Sequence, residues 1–191
     1  NAVKAWALAQ VWALRGDSPA GDMVFLNVSD GVGVGVVIGG EVLRGRHNVA
    51  GEFGHLPLSV DGPRCACGAV GCWEAYVSNL ATVSRYVGQT LAPGQPVPPE
   101  VARLSVEEVV ARARRGDARA TTALLSTAHY LGLGLASIVN ALDPDRLYIG
   151  GEICAAWDLI EPTVRAALAQ HYGARFEAPP SAGRRPENFK A

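Results

Sequence analysis

Gly51-Glu52-Phe53-Gly54-His55 and, after a short polar turn, Cys65-Ala66-Cys67-Gly68-Ala69-Val70-Gly71-Cys72-Trp73-Glu74 form the stretch on which the reading of this chain turns. Three of the four cysteines, one of the four histidines and two glutamates fall within it, a density of ligand-type side chains found nowhere else in the 191 residues. Zinc is held by four nitrogen or sulfur ligands in a tetrahedron, and closed sets of three Cys and one His are common structural solutions. His55, Cys65, Cys67 and Cys72 supply that set, and the turn glycines Gly68 and Gly71 let the backbone fold back so that Cys72 can join the same ion. The alternative is free or redox-active cysteines. Four protein ligands leave no position for water, so such an ion is expected to stiffen a loop rather than to catalyse. Glu52 precedes His55 and Glu74 follows Cys72 closely enough that closing the metal loop is expected to bring both carboxylates near one place. Taken singly, a glutamate is usually a solvated surface group. Tied to one ion, the two become candidates for gripping adjacent hydroxyls, as recognition of a sugar requires.

Upstream, Val3 to Leu14 has near-helical apolar spacing and stops at Gly16. Met23 to Val28 is a short run of strand formers, and the Gly–Val alternation from Gly31 to Ile38 has period two. Gly39-Gly40 makes a hairpin turn into Glu41 to Arg44, which predicts three sequential antiparallel strands leading into the metal loop. Downstream the pattern turns helical. Ala75 to Gly88 reads as one amphipathic helix, and the Pro-rich Ala92 to Glu100 as a linker. Ser105 caps Val106 to Arg115 in a Ser-x-x-Glu box completed by Glu108, and Asp117 opens a long apolar helix to about Leu142. Asp143-Pro144-Asp145 stops it; Arg146 to Ile149 reads as a buried strand ending at Gly150-Gly151, followed by a helix through Trp157, Ile160, Val164 and Leu168. Pro179 to Ala191 is polar and without period, a loose tail. There is no internal repeat, and the order predicts one α/β lobe with a mixed sheet over residues 1–191.

A hydrophobic content of 49% argues against disorder, while a formal charge of -1 and a pI near 6.5 leave no electrostatic footprint for nucleic acid. Any DNA contact is therefore expected through a domain outside this chain. The longest apolar runs read as broken by Gly or charge before bilayer length, and no basic leader opens the chain, which predicts a soluble cytoplasmic protein without a membrane partner. Cys154 stands alone in apolar surroundings and reads as a small buried hydrophobe. The opening lacks a helix cap, as if trimmed from a larger protein, and Asn1 and Ala2 are either native or left by cloning.

These motifs resemble the ROK family of repressors and bacterial sugar kinases. The resemblance rests on Gly51-Glu52-Phe53-Gly54-His55, on Cys65-x-Cys67-Gly68-x-x-Gly71-Cys72-x-Glu74, on the Gly31-Val32-Gly33-Val34-Gly35 strand, and on Asp143-Pro144 leading to Ile149-Gly150-Gly151. It implies the actin-like, ribonuclease-H-like sugar kinase fold, a structural zinc, and sugar contacts from Glu52, His55, Glu74 and Asn1. His55 would then serve the ion through one ring nitrogen and the sugar through the other. Homodimerisation is implied in the same way, and for a kinase ATP with Mg²⁺ would sit near Gly31, Gly33, Gly150 and Gly151.

Three departures separate this chain from the family's kinases. Where those enzymes carry an Asn-Asp pair whose Asp takes the proton from the sugar hydroxyl, Asn1 and Ala2 stand here, and losing a positioned base typically costs about 10²–10⁴-fold in rate. Where they have a Thr-Gly-type turn for the ATP phosphates, this chain has Ser29-Asp30-Gly31, whose carboxylate would repel a nucleotide unless it points away. The tail also lacks the small-residue helix that usually closes the family fold. The expectation is a sugar-sensing effector lobe of a transcriptional regulator, responsive to a sugar or sugar phosphate and carrying no catalytic residue. The rivals are an ATP-dependent, glucokinase-like sugar kinase and a zinc-stapled interaction module without a small ligand.

Overall fold

The computed structural model describes residues 21–90 and 96–172. The expected helix at Val3 to Leu14, Asn1 with Ala2, and the tail from Pro179 lie outside the described residues.

A four-stranded sheet has the order β3-β2-β1-β4, with β1 at Met23–Val28, β2 at Val32–Ile38, β3 at Glu41–Val42 and β4 at Arg146–Gly151. β1, β2 and β3 form the predicted antiparallel meander. Gly39 and Gly40 turn it with φ of 58° and 80°, the left-handed conformations that a two-residue hairpin demands. β3 is only two residues long, shorter than the predicted Glu41 to Arg44; Leu43 still donates to the Val36 carbonyl (2.8 Å), and from Arg44 the chain leaves β2 for the loop to Gly51. β4 pairs with β1 in parallel, and the helical segments between β3 and β4 provide the crossover that parallel pairing needs. The sheet is mixed, as expected.

Period two sorts the strand residues onto two faces. Val24, Leu26 and Val28 stand opposite Val36, Val34 and Val32, and all six are buried in the main core under the helices. On the other face Gly35 and Gly33 oppose Phe25 and Asn27, so little side chain covers it there; a smaller cluster forms from Met23, Val37, Phe25, Val42 and Tyr148.

The helices are α1 (Glu74–Val77), α2 (Asn79–Val87), α3 (Pro99–Ala102), α4 (Val106–Arg114), α5 (Ala118–Leu142) and α6 (Trp157–Tyr172). The single helix expected from Ala75 to Gly88 is two, broken at Ser78, whose ψ of 162° leaves the helical region. Asn79 spends its N–H on the Ser29 carbonyl (2.8 Å) instead of on an intrahelical bond, and the Ser78 hydroxyl caps α2 by accepting from the Ala81 N–H (3.3 Å). Part of the expected linker is also helical, as α3.

The other caps follow the sequence closely. Ser105 accepts from the Glu108 N–H (3.3 Å), but the Glu108 carboxylate does not complete the box; it pairs with Arg112 (2.9 Å) one turn on. Asp117 Oδ1 accepts from Arg119 and Ala120 at the head of α5, and those N–H groups hold its carboxyl below the usual carboxylate range. Between β4 and α6 a short 3₁₀ turn, Glu152–Ala156, was not foreseen.

α5 is the spine of the lobe. It carries no Asp, Glu, Lys or Arg after Arg119, so the expectation that charge or glycine breaks every long apolar run does not hold for it; Gly132 and Gly134 leave it one helix of 25 residues. By length and mean hydropathy (1.4) it matches a bilayer-crossing segment, yet 61% of that segment is buried inside the lobe against the sheet, α2, α4 and α6.

Leu26, with no exposed surface at the centre of β1, offers a direct check of this core. Leu26→Ala is expected to cost about 2–5 kcal/mol by creating a cavity. In urea titrations this lowers the unfolding midpoint while leaving the slope unchanged.

Candidate functional site

The metal loop hangs between β3 and α1 on backbone bonds. Leu58 donates to the Gly71 carbonyl (2.8 Å), Gly71 to Pro63 (2.8 Å), Cys65 to Ala69 (2.9 Å), and Trp73 to Leu56 (2.8 Å). Gly68 and Gly71, picked out as turn residues, have φ of 93° and 73°, and a β-carbon on Gly71 would overlap the Ser59 carbonyl.

This folding back gathers His55, Cys65, Cys67 and Cys72, whose ligand atoms all lie within 4.8 Å of one another. Cys67 Sγ is 3.7 Å from Cys72 Sγ, and Cys65 Sγ is 3.6 Å from His55 Nδ1. A tetrahedron of ~2.3 Å metal–sulfur bonds has edges of about 3.8 Å, so these separations fit one ion shared by the four. The donor set fits as well: burial pushes the Cys65 thiol up to about 12 and raises Cys72, while the Ala69 N–H lowers Cys67. Two buried thiols that resist ionisation in apolar surroundings become good ligands once a cation replaces their protons. The four residues could hold a metal ion.

Glu74 heads α1 and turns back to the sheet. Its Oε2 accepts from the Val32 N–H at the start of β2 (2.9 Å), and its Oε1 lies 3.6 Å from Cys65 Sγ. Gly31 is bare where this happens, since a β-carbon there would stand 3.0 Å from Glu74 Oε2. Glu52 and His55 are exposed at the two ends of the 3₁₀ turn Phe53–His55. That turn is pressed onto β2: a β-carbon on Gly54 would come 2.5 Å from the Val32 carbonyl, and one on Gly51 2.6 Å from the Val34 carbonyl. Val32 therefore meets the Glu52–His55 turn with its carbonyl and Glu74 with its N–H.

Asp30, one residue before Gly31, is exposed, and its Oδ1 accepts from Asn79 Nδ2 (3.4 Å) at the first residue of α2. The carboxylate thus points to a helix N-terminus, the place where a phosphate is normally received. Sequence reasoning missed Asn79 because the continuous helix it assumed hid the break that turns this residue toward Asp30. Gly150 sits beside Asn27, and Gly151, with φ of 106°, packs where a β-carbon would overlap the Val28 carbonyl. Among the described residues two buried side-chain oxygens lack a hydrogen-bond partner, Asn79 Oδ1 and Glu152 Oε2, one next to the end of β1 and the other just after β4. Gly33 stands mid-strand opposite Asn27.

The model of the ROK family matches residues 1–186. The chain belongs to the ROK family. It is 28% identical to the xylose repressor of Bacillus subtilis over 148 residues, which is 78% of this chain and 36% of the repressor. Among solved structures it resembles a ROK family glucokinase from Streptomyces griseus in complex with glucose and AMPPNP, with a TM-score of 0.75 and 27% identity over 95% of this chain and 60% of the enzyme. It also resembles a ROK family transcriptional regulator, a homolog of the E. coli MLC protein, with a TM-score of 0.72 and 31% identity over 88% of this chain and 42% of that one. The fold is that of the ROK sugar kinases, actin-like and ribonuclease-H-like, and the chain spans only part of the length of each relative.

Removing one thiolate opens a closed four-ligand site. Cys67→Ser is expected to release the bound metal, measured by atomic emission on protein dialysed against a weak chelator, whereas Cys154→Ser, remote from the cluster, keeps it at wild-type stoichiometry.

Proposed function

We propose that this chain is the effector-binding lobe of a ROK-type transcriptional regulator, in which Glu52, His55 and Glu74 bind the hydroxyls of a sugar. The observation that carries this reading is the Asp30 carboxylate facing Asn79 at the head of α2. A kinase needs N–H groups and positive potential at such a point to hold transferring phosphates, and a carboxylate opposes both.

In this reading the metal is zinc, and its chemistry is structural: it closes the loop and leaves no position for water. His55 turns Nδ1 toward the cluster, which leaves Nε2 for a sugar hydroxyl, while Glu74 keeps a lone pair free beside its bond to Val32. Asn1 joins the sugar contacts on the family resemblance alone. The regulator works in the cytoplasm as a homodimer and contacts DNA through a domain outside this chain; sugar binding shifts the balance between two arrangements of the whole protein.

The rival is a sugar kinase, favoured by the likeness to a glucokinase holding glucose and AMPPNP. It would use ATP with Mg²⁺ near Gly31, Gly33, Gly150 and Gly151.

Calorimetry of the full-length, zinc-loaded protein against a panel of hexoses, pentoses, amino sugars and their phosphates separates the readings. A sugar is expected to bind, Glu74→Gln to weaken it about 10–100-fold through loss of a charged hydrogen-bond acceptor, and ATP to show no heat. Release of ADP with sugar and ATP would establish the kinase instead, and no sugar binding at all would remove both.

A further inference from the structure

Two glycines cut notches into α5 at one level. They are two residues apart, and at about 100° per residue they open on opposite faces of the helix. At Gly132 the backbone of α6 comes in, so that a β-carbon would stand 2.5 Å from the Val164 carbonyl and 2.6 Å from the Ala167 methyl. At Gly134 the indole of Trp73 lies where a β-carbon would be, overlapping Cδ2, Cε2 and Nε1. Trp73 has no exposed surface, and its Nε1–H donates to the Tyr130 carbonyl (2.9 Å), the carbonyl that also serves the Gly134 N–H one helical turn on.

The surroundings brace this seat. Tyr130 packs its ring on Tyr76 (4.4 Å between centroids), and the Arg85 guanidinium lies 5.2 Å over the Tyr130 ring while donating to Thr127 Oγ1 (2.8 Å) and to the Tyr76 carbonyl. Trp73 stands in the chain between Cys72, a metal-cluster residue, and Glu74, the carboxylate bonded to Val32. One buried ring therefore sets the position of both neighbours.

We propose that Trp73 and Gly134 are positioning residues: the seat of the indole on the Tyr130–Gly134 step of α5 holds Cys72 in the metal cluster and Glu74 in the ligand site together. For Glu74 the proposal rests on the sugar-binding reading; for Cys72 it does not. The notch at Gly132 decides which side yields when the fit is disturbed. α5 is backed by α6 with no slack, so a methyl added at 134 moves the indole rather than the helix, and the displacement is delivered to residues 72 and 74.

The test uses the full-length, zinc-loaded protein with Gly134→Ala, Trp73→Leu and the pair, reading zinc retention against a chelator, the affinity for whichever sugar binds the wild type, and the melting temperature. In an open helix Gly→Ala stabilises. Here Gly134→Ala is expected to lower the melting temperature, speed zinc loss and weaken the sugar by about tenfold or more, since small misplacements of a liganding group carry costs of that order. The pair should recover part of both affinities relative to Gly134→Ala alone, because the smaller leucine leaves room for the new methyl. Such non-additivity is the signature of direct contact acting through position. Effects on zinc and sugar that simply multiply in the pair, or a lowered melting temperature with both affinities unchanged well below it, would overturn the proposal. If no sugar binds the wild type, the sugar reading fails by itself, and zinc retention still decides the role of Trp73 toward Cys72.

Discussion

The N–H of Val32 donating to the Glu74 carboxylate is the bond on which the site depends. It is made across 42 residues and joins the first residue of β2 to the first residue of α1. For it to form, Gly31 must lack a side chain, β2 must begin where the tight turn from β1 ends, and the metal loop must return the chain to the sheet just before Glu74. Each of these conditions is visible in the chain as a glycine or a cysteine. Val32 also takes the Glu52–His55 turn against its carbonyl, at a spacing that only Gly54 allows. A single strand residue thus holds both the Glu52–His55 turn and Glu74 through its two backbone groups, and its side chain is free to pack in the core.

Charge makes the arrangement conditional. Asp30, Glu52 and Glu74 cluster around the start of β2, and none of the four ion pairs among the described residues includes any of them. Asp30 and Glu52 are exposed, so solvent screens them, while Glu74 is half-buried and needs a protein partner. The Val32 N–H supplies that partner, the Asn79 amide meets Asp30, and a divalent ion in the adjacent cluster would add the largest positive charge in the region. An ion in the cluster would thereby be linked to Glu74 electrostatically as well as through the chain.

Much of this was legible in the sequence because it is encoded locally. The four metal-cluster residues, the glycines of the hairpin and the loop, the meander, the Ser105 and Asp117 caps, and both long helices depend on neighbours a few positions away. What was missed depends on contacts between distant segments. Ser78 breaks a helix that its own periodicity would continue, because Ser29, in the turn between β1 and β2, claims the Asn79 N–H. Glu108 abandons the capping box for Arg112, and no pattern signals that choice. The sequence gives no sign that Gly134 is bare because the indole of Trp73 lies where its β-carbon would be. Glycine in a helix has many explanations, and only the partner distinguishes them.

The position of Asp30 bears most on what this family member does. A ligand site at the carboxyl ends of parallel strands is a general property of open α/β sheets, and here those ends, of β1 and β4, lead into Asp30 and Glu152. What differs is the sign of the groups lining it. Phosphoryl transfer demands donors and cations aimed at developing negative charge. Beyond the end of β1 stands the exposed Asp30 carboxylate, accepting from the Asn79 amide at the head of α2. On the proposed reading, turning a sugar kinase into a sugar sensor needs no change of fold, only a carboxylate facing the head of α2 where a kinase needs donors, with the metal loop and its buried tryptophan unchanged.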